Sequence, residues 1–397
     1  MTESATDRAG DGTRLHSLDC LRGLALCAMI LVHFHQRMRL DAGGVEDLIA
    51  WGVWVLLEQK AWGTFAFLFG AGFAILLRRL DARGAAVWPV FLRRLAALAL
   101  FGVIAEVGFG FGILIEYACW GVALLIIRRW PTPALLAVAA VFASARPVAA
   151  ELTALHVLGF SGGAQAEAHT ALLRAAAAAA SQDHYFPLLA ARFAVFVDAF
   201  ALGWRDLLPT VNLALFTLGL LAVRHHVIDE PGRHVRLIRG WMIFGAASWA
   251  ASWLVLRNLP PTGIPGADWP IQNGFGLIQD QWLCFTYIGA VVLLLHARPV
   301  WTTRLGWFRD AGRMALTNYL IQAMVLDALA SGYGAALRVR PYLYPVATAL
   351  LFSGEALASR AWLARFRFGP LEWLWRTVTY ARATPLRRAA PADVVPV

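Results

Sequence analysis

The chain has 397 residues, of which 59% are hydrophobic and only 15% charged. A soluble domain sits nearer half apolar and a quarter charged, so this balance excludes an ordinary soluble enzyme and points to a helical membrane protein. The formal net charge is +10, with Lys60 the single lysine among 35 basic residues; the arginines stand at the ends of apolar runs, where topology and anionic headgroups explain them, so no nucleic-acid partner is expected.

In chain order, residues 1–16 are polar and read as a disordered cytoplasmic amino terminus without a cleavable leader. A single membrane domain is expected over 17–380. Apolar runs of bilayer-spanning length lie near 18–35, 62–80, 93–109, 111–128, 132–149, 207–223, 237–256, 281–297, 312–330 and 342–361. The fold class is therefore all-α: a polytopic membrane protein of about ten transmembrane helices. Residues 47–58 ("DLIAWGVWVLLE") are apolar but short and read as an interfacial or re-entrant helix; a full crossing there would make eleven. Arginines flank alternate loops: Arg78, Arg79, Arg83, Arg93 and Arg94; Arg128 and Arg129; Arg224, Arg233, Arg236 and Arg239; Arg298, Arg304, Arg309 and Arg313. With those loops inside, both termini are cytoplasmic in a bacterial inner membrane, and the segments 150–206 and 258–280 fall outside. The first of these holds an alanine-rich helix former and "FPLLAARFAVFVDAF", which reads as lying along the membrane surface. Residues 381–397 read as a disordered cytoplasmic tail. Cys20, Cys27, Cys119 and Cys284 lie in or beside apolar runs without metal-ligand spacing, and no metal is expected.

The first run, "SLDCLRGLALCAMILVHFH", carries unusual charge for lipid. Arg22, Leu26, Met29 and His33 fall at i, i+4, i+7 and i+11 and share one helical face. Arg22 and His33 are then about 16 Å apart along the axis. Asp19 can pair with Arg22. The bland reading is an anchored helix with an interfacial imidazole; the functional one is a polar stripe lining a passage. Arginine offers a fork of donors for phosphate, and histidine serves as a general base near neutral pH. His35 points to another side of the helix.

"LDCLRGLALCAMILVH" resembles the opening helix of the transmembrane acyltransferase superfamily, which includes the acyltransferase-3 proteins and the heparan-alpha-glucosaminide N-acetyltransferases. Three blocks, "FAFLFGAGFAILLRR" (65–79), "AGRMALTNYLIQ" (311–322) and "FRFGPLEWLWRTVTY" (366–380), resemble the YeiB-like family of bacterial membrane proteins carrying domain of unknown function 418. The superfamily resemblance implies an acyl-CoA donor on the cytoplasmic side and an acceptor reached from outside. It puts the superfamily's arginine on Arg22 and its histidine on His33, where YeiB-like proteins more usually have asparagine. The YeiB-like pattern "GLLH…GDIL..YA" is replaced here by "GVIAEV" and "FGILIEYA". Its histidine position is Ala105 and its aspartate position Gly112. Glu106 and Glu116 either compensate or are polar residues near the outer surface.

Other polar residues have two readings. Glu58 and Lys60 form a surface pair or meet an anionic acceptor. Asn318 and Gln322, at i and i+4, join helices or line a cavity; Asn212 has the same two readings, and Asp327 lies deep enough to need a partner. In "GPLEWLWR", Glu372 and Arg376 are spaced for a salt bridge, while Arg376 and Arg313 stand on the side where coenzyme A enters. The glycines of "FLFGAGF" read as close helix packing. The leading expectation is an acyl-CoA-dependent O- or N-acyltransferase. His33, Arg22 and Asp19 would be its catalytic group, Arg22, Arg313 and Arg376 its cofactor contacts, and a glycan or small metabolite its acceptor. The alternatives are a transporter or exporter component and a non-enzymatic membrane partner.

Overall fold

The computed structural model describes all residues except 1–4, 41–42, 59, 144–161, 203–210, 259, 261–267 and 389–397. Sixteen α-helices are named here: α1 (Ala5–Met38), α2 (Val45–Leu56), α3 (Lys60–Asp81), α4 (Val87–Val103), α5 (Leu114–Ile127), α6 (Thr132–Ala143), α7 (Gly162–Ala180), α8 (Tyr185–Leu202), α9 (Asn212–Arg224), α10 (Val235–Arg257), α11 (Asp268–Ala297), α12 (Val300–Arg304), α13 (Gly306–Arg313), α14 (Ala315–Ala330), α15 (Tyr344–Arg365) and α16 (Pro370–Tyr380). Among the described residues the only extended pairings are two isolated bridges, Arg39 with Val339 and Phe366 with Arg387. The expected all-α class is what the chain adopts.

Small residues decide which helices touch. A Cβ at Gly23 of α1 would overlap the carbonyl of Phe308 on α13, and one at Gly312 of α13 would overlap the carbonyl of Asp19 on α1. The two helices therefore cross backbone to backbone, which only glycine permits. Gly70 of α3 meets the backbone of Phe216 on α9, and Gly219 of α9 meets that of Phe67, so the "FLFGAGF" glycines are packing residues as expected. One apolar core gathers α3, α4, α5, α9 and α11 around Phe67, Phe91, Leu124 and Phe216; a second gathers α1, α14 and α15 around Leu26, Ile30, Phe34 and Tyr344.

Helix α4 does not stop cleanly. It runs into a π-helical turn, Ile104–Gly108, and the chain then reverses through Gly110 at φ 70°. π-turns are rare and often mark functional positions.

The arginine-bearing loops collect at one end of the bundle. Arg78 holds Asp229 at 3.1 Å, Arg224 bonds the carbonyls of Trp130 and Arg128, and Arg93 bonds the carbonyl of Thr379 at 3.1 Å. At the opposite end Leu40 pairs with Val339, and α8 docks on the π-turn. Outward faces are apolar along the helices: Leu100 is 60% exposed, Ile126 58%, Ile243 70% and Leu350 70%.

Among the described residues, two stretches, His16–Met38 and Val45–Asp81, are long and apolar enough to cross a bilayer. Five shorter apolar helices accompany them: Leu114–Ile127, Thr132–Ala143, Asn212–Arg224, Trp282–Ala297 and Ala315–Ala330. The expected ten crossings are thus not reproduced by length and apolarity. Helix α4 carries Arg93 and Arg94, α15 carries Glu355 and Arg360, and several apolar runs form helices shorter than a bilayer is thick.

Candidate functional site

A cavity of about 330 Å³ opens between α1, α3, α4, α5, α13, α14 and α16. Four guanidiniums line it: Arg22, Arg94, Arg313 and Arg376. Its body is aromatic, with Phe69, Phe73, Phe91, Tyr117, Tyr319 and Trp375 on the walls.

Three of the arginines are held by local geometry. Arg22 Nη1 donates to Asp19 Oδ1 at 2.6 Å, one helical turn before it, which is the expected pair. Across the gap stands Gly72 of α3, where a Cβ would come within 3.5 Å of Arg22 Nη2. Arg94 stacks 3.5 Å from the Trp375 ring, whose indole N–H donates to the Arg94 carbonyl at 2.8 Å. Arg376 lies 4.4 Å from the Phe368 ring and 5.7 Å from that of Tyr380, and its buried Nε finds no partner. Burial lowers its pKa; Tyr380 opposes the shift and the cations Arg79, Arg367 and Arg83 add to it.

The cavity's one carboxylate is already engaged. Glu372 accepts hydrogen bonds from the backbone N–H groups of Leu316 (2.7 Å) and Thr317 (3.0 Å) and from Thr317 Oγ1 (2.6 Å). It thus caps the amino terminus of α14, where unpaired N–H groups and the helix dipole favour an anion. Burial raises its pKa, while the bonds from Thr317 and Leu316 oppose the rise. The expected Glu372–Arg376 salt bridge is therefore corrected: the carboxylate turns to α14 and the guanidinium stacks on rings. Four guanidiniums, one of them paired with Asp19, beside one committed acid make an anion site, and the aromatic body suits an uncharged arm attached to that anion.

The structure brings Arg22, Arg313 and Arg376 together, as expected of cofactor contacts. It does not bring His33 to them. His33 is 5% exposed, sits edge-on 4.4 Å from the Phe111 ring, and leaves Nδ1 without a partner. Arg22 and Met29 of its stripe line the cavity; the imidazole lies beyond, against Phe111, whose carbonyl is held by Tyr319 OH at 3.0 Å. The single chamber expected to contain both groups is thus not formed: Arg22 lines the cavity and His33 does not. His35 stands 6.4 Å from the Tyr344 ring.

Lys60, expected at the surface, is 1% exposed at the start of α3, while Glu58 accepts from Gln36 Nε2 at 2.8 Å; the surface pair is corrected to a buried lysine beside a partnered acid. Glu116 accepts from Asn212 Nδ2 at 2.8 Å, tying α5 to α9. Asn318 bonds the Ala311 carbonyl and Ser359 Oγ, each at 3.0 Å, and Gln322 bonds Glu355 at 2.7 Å. Both amides join helices, and neither lines this cavity.

The far end holds a second charged group. Asp327, with no exposed surface, receives Arg192 at 2.5 and 2.9 Å, Arg37 at 3.3 Å, Ser331 at 3.0 Å and Tyr333 at 2.9 Å. Arg192 also holds the Gly108 carbonyl at 2.9 Å, and Arg37 holds that of Gly110. The π-turn and the reversal after it are thereby pinned by two partly buried arginines. Its Glu106 carboxylate fills the volume that a Cβ at Gly112 would need. An acid at position 112 and Glu106 in this pose exclude each other, so of the two readings of Glu106, replacement of an acid at 112 has a steric basis.

Sequence reasoning missed Arg94, Arg192 and Glu355. Arg94 had a signal: Phe91, Leu95 and Leu98 recur at helical spacing and all line the cavity, and Arg94 lies on their face. Arg192 and Glu355 had none.

Residues 14–189 match the family model described as "Heparan-alpha-glucosaminide N-acetyltransferase, catalytic", and residues 222–382 match "Protein of unknown function (DUF418)". Among curated proteins the chain is similar to the uncharacterized protein YxaH of Bacillus subtilis (29% identity; 94% of this chain and 96% of that one). It is also similar to an uncharacterized 39.9 kDa protein in the amylase 3' region of Bacillus acidopullulyticus (26%; 96% and 98%) and to the uncharacterized protein YeiB of Escherichia coli (29%; 37% and 45%). No solved structure matches. The amino-terminal part is thus similar to a transmembrane acyltransferase catalytic region and the carboxyl-terminal part to the DUF418 region, the two resemblances expected from the sequence.

Proposed function

We propose that the protein is a multi-pass membrane acyltransferase that takes an acyl group, acetyl in the simplest case, from acyl-CoA at its arginine-rich end. It passes the group to a hydroxyl or amine of a glycan or small metabolite reached from the other end. The observation that carries this reading is the cavity. Arg22, Arg94, Arg313 and Arg376 stand where the phosphates of a coenzyme A thioester would lie, and the aromatic body below them suits its uncharged arm. The match of the amino-terminal half to an acetyltransferase catalytic model supports the same chemistry.

The large apolar residues exposed along the helices support a lipid-facing surface, since monomeric soluble proteins rarely present so much. The gathering of arginine loops at one end supports a cytoplasmic position for that end in the bacterial inner membrane, and with it both termini. In this reading the thioester carbon reaches toward Tyr117 and Tyr319. His33, packed on Phe111, is the base for the acceptor, and Asp19 sets the Arg22 fork.

The test is thermal unfolding of the purified full chain in detergent with acetyl-CoA, followed by transfer of labelled acetyl in proteoliposomes. Saturating acetyl-CoA at about 100 times its Kd stabilises by about 2.7 kcal/mol. Arg94→Ala and Arg376→Ala should each remove most of that gain, and His33→Ala should abolish transfer while leaving it in place. Unchanged unfolding with acetyl-CoA defeats the reading. Stabilisation by a solute or ion alone would favour transport.

A further inference from the structure

Glu355 sits half-way along α15, eleven residues from its start, in the seam between α15, α14 and α1. Its partner is an amide: Gln322 Nε2 donates to Glu355 Oε2 at 2.7 Å. From α1 the group facing it is the thiol of Cys27. No guanidinium or ammonium pairs with it among the described residues. An acid at mid-helix depth in a membrane bundle, without a cation, is either neutral or costly, and such groups mark ion or proton paths.

Glu355 is not alone. Tyr344, Thr348, Glu355 and Ser359 follow one face of α15 over about 22 Å. Asn318 and Gln322 of α14 face them, with Asn318 on Ser359 and Gln322 on Glu355. His35 of α1 closes the far end against Tyr344. Gln322 and Thr348 are more than nine-tenths buried, yet Gln322 Oε1 and Thr348 Oγ1 find no partner within the protein, and neither does His35 Nδ1. Buried polar atoms are almost always satisfied, by water where the protein does not serve. Two turns, about 10 Å, separate Thr348 from Glu355, a span of roughly three waters at hydrogen-bond distance.

We infer that Glu355, held by Gln322, is an intramembrane proton-binding site, and that this polar line carries protons between the two ends of the bundle. The site stands on its own geometry; its purpose rests on the transferase reading above. When a thioester acylates a hydroxyl, the C–S bond breaks, a C–O bond forms, the hydroxyl proton leaves, and the departing thiolate takes up one proton. With the hydroxyl proton released on the acceptor side and a proton taken up on the donor side, the seam beside the arginine cavity offers a route that returns the proton without drawing on water at either end.

The experiment uses the full chain in proteoliposomes. Infrared spectra of wild type and Glu355→Gln are compared as pH is raised, and the relaxation of an internal pH dye is followed after an external acid step. A protonated-carboxyl band that fades with rising pH in wild type and is missing from E355Q is expected. Proton relaxation should be at least tenfold slower in E355Q and in Thr348→Val, which keeps the carboxyl. Acetyl-CoA stabilisation should be unchanged in both, so its loss in wild type would defeat the transferase reading without touching the proton site. A band identical in wild type and E355Q overturns the site. A band that differs without any change in relaxation overturns the path.

Discussion

Asp327 illustrates how one buried charge is made tolerable. Four groups converge on it, two of them guanidiniums from helices far apart in the sequence. Removing its charge leaves Arg37 and Arg192 facing each other in the interior. Asp327→Asn should therefore destabilise by about 3 kcal/mol, as for other broken buried pairs, read from thermal unfolding in detergent. Asp47, which pairs with Arg39 at the surface, is the contrast: exposed pairs contribute about 0–1 kcal/mol, so Asp47→Asn should leave the midpoint nearly unmoved. An equal loss in both variants would mean that burial does not set the strength of the Asp327 group. The need for a partner at Asp327 was legible, because an ionisable group deep in an apolar run requires one. Which partners was not, since Arg192 lies 135 residues away.

At the scale of elements, glycine placement fixes the crossings. Gly23→Ala and Gly312→Ala force a methyl into the facing helix backbone, and overpacking of this kind costs about 1–3 kcal/mol. Gly240 of α10 and Gly354 of α15 look into open space. Alanine there gains helix propensity, about 1 kcal/mol at most. Unfolding midpoints should thus fall for the first pair and hold or rise for the second; the same response at all four positions would remove the close-crossing account. The close packing of "FLFGAGF" could be read from sequence because glycines at lipid depth have few other uses. Glu372 could not be placed from sequence. Its spacing to Arg376 permits a salt bridge, but the amino terminus of α14 supplies three donors where Arg376 supplies a guanidinium already stacked on rings.

For the whole molecule, the two ends differ in charge, and orientation follows if the arginine-rich end faces the cytoplasm. With the four native cysteines replaced by alanine, Arg304→Cys should react with an impermeant maleimide only in inverted vesicles. Phe186→Cys, at a side chain 78% exposed on the opposite end, should react in intact cells. The reverse pattern would turn the cavity mouth outward and remove acyl-CoA as its donor.

By itself the sequence determined the helical class and the Asp19–Arg22 pair, which follow from composition and from spacing within single helices, made readable by 3.6 residues per turn; Arg22, Arg313 and Arg376 were grouped by the family resemblance and by their shared side of the membrane. Only the tertiary structure decided that His33 packs on Phe111 outside the arginine cavity, that Arg94 completes the basic rim, that Glu106 fills the space at Gly112, and that Glu355 lies on a polar seam. Each of these depends on which helices meet and at what rotation. That is set by backbone contacts at a few glycines and by ring packing between distant segments, which periodicity along one helix does not encode.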